Sequence, residues 1–176
     1  MVLNRKPDIP ATVLSRWQRI VDLLASITHT PATLITKTHK SDLELLVCND
    51  SANNPYDAHY KVSRNRGLYC DWVIDNKQPL LISDAKLDPE WHSNPDLIHN
   101  FSFYCGYPLH WPDNDIFGTL CVLDQFDNKL AERFFPLMQE FQLLLESDLA
   151  LVLEQEQLQA KNLALEALVE RKREFA

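Results

Sequence analysis

Apolar positions near the start of the chain recur three and four residues apart. Val13, Leu14, Trp17, Ile20, Val21, Leu24 and Ile27 form one stripe of an amphipathic helix between Ile9 and Ile27 that packs through its Trp17 face. After Pro31 the period shortens. The runs Thr33 to Thr38 and Leu43 to Cys48, split by His39-Lys40-Ser41-Asp42, predict a β-hairpin and the start of an antiparallel sheet. Asp50 to Tyr60 has the Asn, Ser, Asp and Pro content of a loop. A short helix is expected from Leu68 to Asn76 and a buried strand from Pro79 to Ile82. Ser83 to Asn100 is polar but carries two apolar anchors, Trp91 and Leu97, which suits an ordered loop acting as a lid. Phe101 to Trp111 and Asp115 to Leu123, joined by Pro112-Asp113-Asn114, predict a central hairpin. In its second strand Thr119 and Cys121 alternate with Gly118, Leu120 and Val122, and the apolar face is assigned to the helices.

From about Asn128 to Ala176 the helical period returns, interrupted only by Pro136, which a first turn tolerates. Such a helix would run roughly 70 Å, more than a small domain needs. Leu137, Leu144, Leu151, Leu158 and Leu165 are spaced by seven, and with Phe141 they predict the seam of a parallel homodimeric coiled coil. The companion positions Asp148, Gln155 and Asn162 are polar, so the seam should be weak and able to hold two helix arrangements of similar energy. Arg171 to Ala176 carries neither Gly nor Pro, and the natural chain is expected to continue.

With 176 residues and 45% hydrophobic content, one core is expected. The net charge of -8, with basic clustering only at Arg171, Lys172 and Arg173, argues against nucleic acid or an anionic membrane as partner. No apolar run reaches the roughly 18 residues of a membrane span, and Met1 to Pro10 lacks a secretory core, so a cytoplasmic location is expected. Cys48, Cys70, Cys105 and Cys121 have no CxxC spacing and are read as reduced thiols. His92, His99 and His110, with Cys105 and Asp96, lack the paired spacing of a metal site, and none is expected.

The order of these pieces resembles a GAF domain: the first helix, the hairpin, Asn54-Pro55-Tyr56, GLYCDWVI from Gly67 and PLLISDA from Pro79. DPEWHSNPD from Asp88, YCGYPLHWPD from Tyr104 and FGTLCVLD from Phe117 are similar to a bacterial subset of that family. The resemblance implies an α+β fold with a central antiparallel sheet of about six strands. It puts the N- and C-terminal helices on one face, ligand-pocket loops on the other, and a long signalling helix at the end. The implied organisation is a tail over 1–9, a GAF domain over 10–153 and a coiled-coil linker helix over 154–176. It further implies a sensory input module without a catalytic centre, upstream of a diguanylate cyclase (GGDEF) domain, a PAS module or a histidine kinase. No GGDEF-type run or Gly-rich nucleotide loop occurs in the chain itself.

A pocket in such a domain would be floored by Ser102, Tyr104, Thr119 and Cys121. Its roof would be Trp91, His92, Asn94 and Asp96, with Trp72 closing one side, a mix of aromatic walls and hydrogen-bonding groups suited to a small molecule. The alternative is that Trp91 only anchors its loop and Tyr104 is a core tyrosine. No cofactor is named: Cys70 precedes Asp71 and Cys105 precedes Gly106, so the Cys-His pair of bilin-binding relatives is absent. An enzymatic alternative is a free methionine sulfoxide reductase, in which Cys70 would occupy a family cysteine position. The segment Ser83 to Asn100, where further reactive thiols would be expected, contains none.

Overall fold

The computed structural model describes residues 5–174. The chain runs α1 (Ala11–Thr28), β1 (Ala32–Thr38), β2 (Asp42–Cys48), β3 (Lys61–Ser63), α2 (Tyr69–Asn76), β4 (Leu80–Ile82), a 3-10 turn (Pro95–His99), β5 (Phe103–His110), β6 (Ile116–Asp124), α3 (Lys129–Arg133) and α4 (Phe135–Glu174). The strands form one sheet in the order β3-β2-β1-β6-β5-β4, and every neighbouring pair is antiparallel. The expected α+β architecture is what forms. The ends of the proposed tail and linker helix, residues 1–4 and 175–176, lie outside the described residues.

Side-chain alternation divides the core in two. On one face Ile35, Phe103, Leu120 and Val122 pack beneath Trp17, Val21 and Leu24 of α1 and Met138, Leu145, Leu149 and Val152 of α4. On the other, Leu34, Leu43, Leu45, Tyr104, Cys121 and Leu123 pack against Tyr69, Val73 and Ile74 of α2 and the long loops. The division of Leu120 and Val122 from Cys121 follows the period-two pattern of the sequence. Two bulges break that alternation. Ile35 pairs with Val47 but Thr36 pairs with Leu45, so the extra residue Leu46 joins Val47 on the helix face. Leu109 pairs with Gly118 but His110 pairs with Ile116, so Phe117 turns to the helix face, edge-on to Trp17 and Trp111.

The final helical region is two helices, not one. Pro136 has no N–H for the carbonyl four residues earlier, and α3 ends at Arg133, with Phe134 as its cap, before α4 begins at Phe135. Only the first half of α4 is covered by the domain; after Leu153 every described residue is exposed. The sequence reading put Asp148 in the polar middle of a dimer seam, and here the structure differs. Asp148 is buried against α1, where its carboxylate accepts from Trp17 Nε1 at 2.8 Å and from Arg16 Nη2 at 2.6 Å. A carboxylate four residues beyond Leu144 points to the neighbouring helix of its own chain because that helix supplies the donors.

Candidate functional site

The loop between β2 and β3, the start of α2 and the 3-10 turn enclose a cleft of about 730 Å³. Tyr56, Asp57, Tyr60, Arg66, Asn94, Asp96 and His99 supply its polar groups. Beneath it an apolar recess of about 60 Å³ is lined by Leu34, Leu43, Leu45, Cys70 and Leu123. Tyr56, Val62, Leu68 and Asp96 line both spaces and form their common wall.

Local sequence explains why Asp96 stands there. Asn94 caps the 3-10 turn by accepting from Asp96 N at 2.8 Å, and its amide donates to the Gly67 carbonyl at 2.7 Å, tying the turn to the start of α2. Gly67 has φ +80°, a left-handed conformation that suits glycine. Asp71 in the first turn of α2 accepts from Arg66 N and Leu68 N, which sets the direction of that helix. The Asp96 carboxylate then accepts from Tyr69 N and Tyr56 Oη, each at 3.3 Å. Burial dominates its titration and raises its pKa, against the lowering effect of those two donors. Burial, and then the Asp96 charge, push the Tyr56 phenol up, so Tyr56 is a neutral donor.

The other sequence-selected residues divide. Asn94 and Asp96 line the cleft. Trp72 and Trp91 instead wall a separate shallow depression of about 340 Å³ with Glu90 and Asn94. Trp91 also packs on Tyr69 at 5.3 Å between ring centroids. His92 is exposed and its Nδ1 contacts the Pro89 carbonyl. Ser102 donates to the Gln125 carbonyl at 3.1 Å, away from the cleft. Tyr104, Thr119 and Cys121 lie beneath α2, one layer below the cleft, fully buried. Among the described residues no cluster of three His, Cys, Asp or Glu side chains could hold a metal ion, and no helix is long and apolar enough to cross a membrane.

That lower layer is a polar cluster around Cys70. Thr36 Oγ1 accepts from Thr119 N and pairs with Thr119 Oγ1 at 2.8 Å, which leaves Thr119 to donate to Cys70 Sγ at 3.4 Å. Tyr104 Oη lies 3.5 Å and Cys121 Sγ 3.9 Å from the same sulfur. The Cys121 hydrogen bond, ahead of those from Thr119 and Tyr104, lowers the Cys70 pKa against burial; the same contact and burial push Cys121 up. All four cysteines are free thiols.

Residues 13–159 match the model of the GAF domain family. The chain belongs to that family. Its fold also resembles the A. aeolicus Nlh2 GAF domain in an inactive state, with a TM-score of 0.60, 14% identity and coverage of 82% of this chain and 88% of that one. A second GAF-like neighbour is free methionine-R-sulfoxide reductase from Neisseria meningitidis in complex with its substrate, with a TM-score of 0.65, 13% identity and coverage of 81% and 80%. At these identities the likeness concerns the fold. Over 79 residues the GAF domain is 33% identical to a cyclic di-GMP phosphodiesterase of Pseudomonas aeruginosa, a match covering 43% of this chain and 14% of that relative. The matched stretch is therefore a small part of a much longer protein.

Sequence reasoning passed over Tyr56, Arg66 and the leucines of the recess. Tyr56 stands out only within the Asn54-Pro55-Tyr56 run, in a segment that otherwise reads as loop. Leu43 and Leu45 carry a readable signal, since their alternation sets them on the face away from the helices.

Proposed function

We propose that this GAF domain is the cytoplasmic sensory input of a bacterial signalling protein, binding a small molecule in the Asp96 cleft and acting through α4 on an output domain that makes or degrades cyclic di-GMP. The sequence resemblance favours a diguanylate cyclase, and the Pseudomonas relative brings in a phosphodiesterase; a histidine kinase is the alternative output. The observation that carries the reading is the exposed half of α4. Leu144, Leu151, Leu158 and Leu165 keep seven-residue spacing, and Leu151 and Leu158 are 53% and 56% exposed in the single chain, as a seam awaiting a second copy would be.

A route from cleft to helix supports it. Gln125, just after β6, donates through Nε2 to the carbonyl of His99, a cleft residue, at 3.2 Å. Its own carbonyl accepts from Ser102. Three residues on, Asn128 caps α3 and donates to the Thr28 carbonyl at the end of α1 and to Asp124. A ligand that shifts the 3-10 turn therefore bears on the segment leading into α4.

Sedimentation of the 176-residue chain at tens of micromolar should give a dimer. Replacing Leu151 and Leu158 together with Asp should weaken it at least about tenfold, since charge would be buried in the seam. The melting temperature of the folded domain should stay unchanged. A wild-type monomer would remove the dimer from the reading. Ligand binding is tested by a thermal-shift screen, in which a ligand at about 100 times its Kd adds near 2.7 kcal/mol. Val62→Trp, which fills the common wall, should cancel the shift.

One observation favours a second reading. Cys70 faces the recess and has Cys121 within 3.9 Å, so a second thiol is at hand although the lid carries none. A sulfoxide reductase would use Cys70 as attacking thiolate, forming a sulfenic acid, with Cys121 closing the disulfide and releasing water. Purified protein with dithiothreitol and free methionine sulfoxide should show no turnover above that of Cys70→Ser if the sensory reading holds. Turnover lost in Cys70→Ser would establish the reductase.

A further inference from the structure

The cleft carries a charge pattern that selects among ligands. Its inner carboxylate, Asp96, takes part in no ion pair among the described residues, and its two donors, Tyr69 N and Tyr56 Oη, are neutral and distant at 3.3 Å. Arg64, the nearby cation that is committed, serves Asp71 and Asp75. A second carboxylate, Asp57, and the Tyr60 ring line the outer cleft beside Arg66, while the Tyr56 ring lines both the cleft and the recess. Carboxylates and electron-rich ring faces together favour an organic cation. Directly behind Asp96 the recess is apolar, with Leu34, Leu43, Leu45 and Leu123.

On the reading of this cleft as a ligand site, we infer that its ligand is a small organic ammonium compound, whose charged head pairs with Asp96 and whose short apolar part enters the leucine-lined recess. An ammonium supplies the hydrogen-bond donors that a desolvated carboxylate lacks. A neutral isostere would leave the carboxylate uncompensated, and an anion would be repelled by both Asp57 and Asp96. Arg66 lines the outer cleft only, so a ligand that also bears an anionic group would present it outward.

The groups facing Asp96 set its pH behaviour. They are His99 on its own turn, Tyr69, Asp71 and Cys70 on α2, Tyr56 from the loop before β3, and Tyr104 on β5 and Cys121 on β6, with Arg66 and Asp57 lining the same cleft. Burial raises the Asp96 pKa, so acidification protonates it sooner than a solvated aspartate and removes the counter-charge. Ammonium binding should therefore weaken as pH falls, while the free domain, relieved of a buried charge, becomes more stable with respect to this one group.

Amide NMR titrations of the 176-residue chain with n-butylammonium, n-butanol and butyrate provide the test. At pH 7.5 n-butylammonium should perturb the amides of Tyr56, Asp96 and Leu43 and bind at least about tenfold tighter than n-butanol, with butyrate weakest. Asp96→Asn should bring amine and alcohol within about twofold of each other, and Val62→Trp should abolish both. Equal binding of amine and alcohol by the wild type, or a preference that survives in Asp96→Asn, overturns the inference. If butanol or butyrate binds the cleft and the amine has no advantage, the ligand class is wrong and the cleft remains a ligand site. If none of the three binds, the ammonium inference fails, and the cleft reading itself is decided by the thermal-shift screen.

Discussion

Gly118→Ala should destabilise the domain by about 3 kcal/mol or more, at the upper end of what overpacking a core costs. Gly118 lies in β6 opposite Lys37 of β1, and a Cβ built there would stand 1.8 Å from the Thr36 carbonyl oxygen and 2.6 Å from its carbon. Both are backbone atoms in the central pair of the sheet, so no side chain can rotate away. The strands would have to separate, and that would break the Thr36–Thr119 hydroxyl pair and the helix-side packing of Leu120 at once. Gly106→Ala is an instructive contrast. There the added atom meets the Tyr104 ring, 2.3 Å from its hydroxyl, and the ring can tilt, at the expense of its stack on Tyr69 and its contact with Cys70. Urea unfolding of the three proteins should rank them wild type, Gly106→Ala, Gly118→Ala in falling stability. A Gly118→Ala midpoint within error of wild type would mean that β1 and β6 are less tightly apposed than the structure shows.

The elements with strong periodicity could be read from the chain because one physical demand, burial of one face, sets their pattern. The stripe from Val13 to Ile27 and the two hairpins are of this kind, and their observed limits lie within a few residues of the expected ones. β3 is different. Lys61, Val62 and Ser63 pair with β2 at the sheet edge with only Val62 half-buried, too short to show alternation. The bulges at Leu46 and Phe117 were equally hidden, since a one-residue slip leaves composition unchanged and shows only in which face receives the side chain. The cleft is harder still. It is assembled from the β2–β3 loop, the α2 start and the 3-10 turn, and its position depends on long-range bonds such as Asn94 to Gly67 that no local pattern encodes. Tryptophan was the most conspicuous residue in the lid sequence, yet Trp91 spends its ring on Tyr69 and leaves the cleft to the smaller Asp96.

Asp148 is the residue on which the seating of α4 on the domain should depend. Asp148→Ala should cost about 3 kcal/mol: it removes charge-assisted hydrogen bonds to Arg16 and Trp17 and leaves the buried Trp17 Nε1–H without an acceptor. Most of that cost belongs to the indole, because Trp17 is fully buried while Arg16 is 47% exposed and can return to water. Asp148→Asn keeps an acceptor oxygen for the indole and loses the charge and the acceptor facing the half-exposed Arg16 Nη2, so it should cost nearer 1 kcal/mol. Denaturant melts of the two variants distinguish this division from a simple ion pair, for which both substitutions would cost the same. On the proposed coupling through α4, the consequence follows from position. Asp148 sits between Leu145 and Leu149, the side chains that seat α4 on the sheet, and four residues after Leu144, where the exposed stripe begins. Loosening it frees the first half of α4 while leaving Leu151, Leu158 and Leu165 able to pair. In the proposed dimer, spin-labelled near Leu158, Asp148→Asn should broaden the inter-label distance distribution without dissociating the helices. A distribution as narrow as wild type would mean that α4 is held by its contacts with β5, the apolar ones and the bonds of Gln142 to the Pro108 carbonyl and of His110 N to Glu146, and that the α1 clamp plays no part in setting its arrangement.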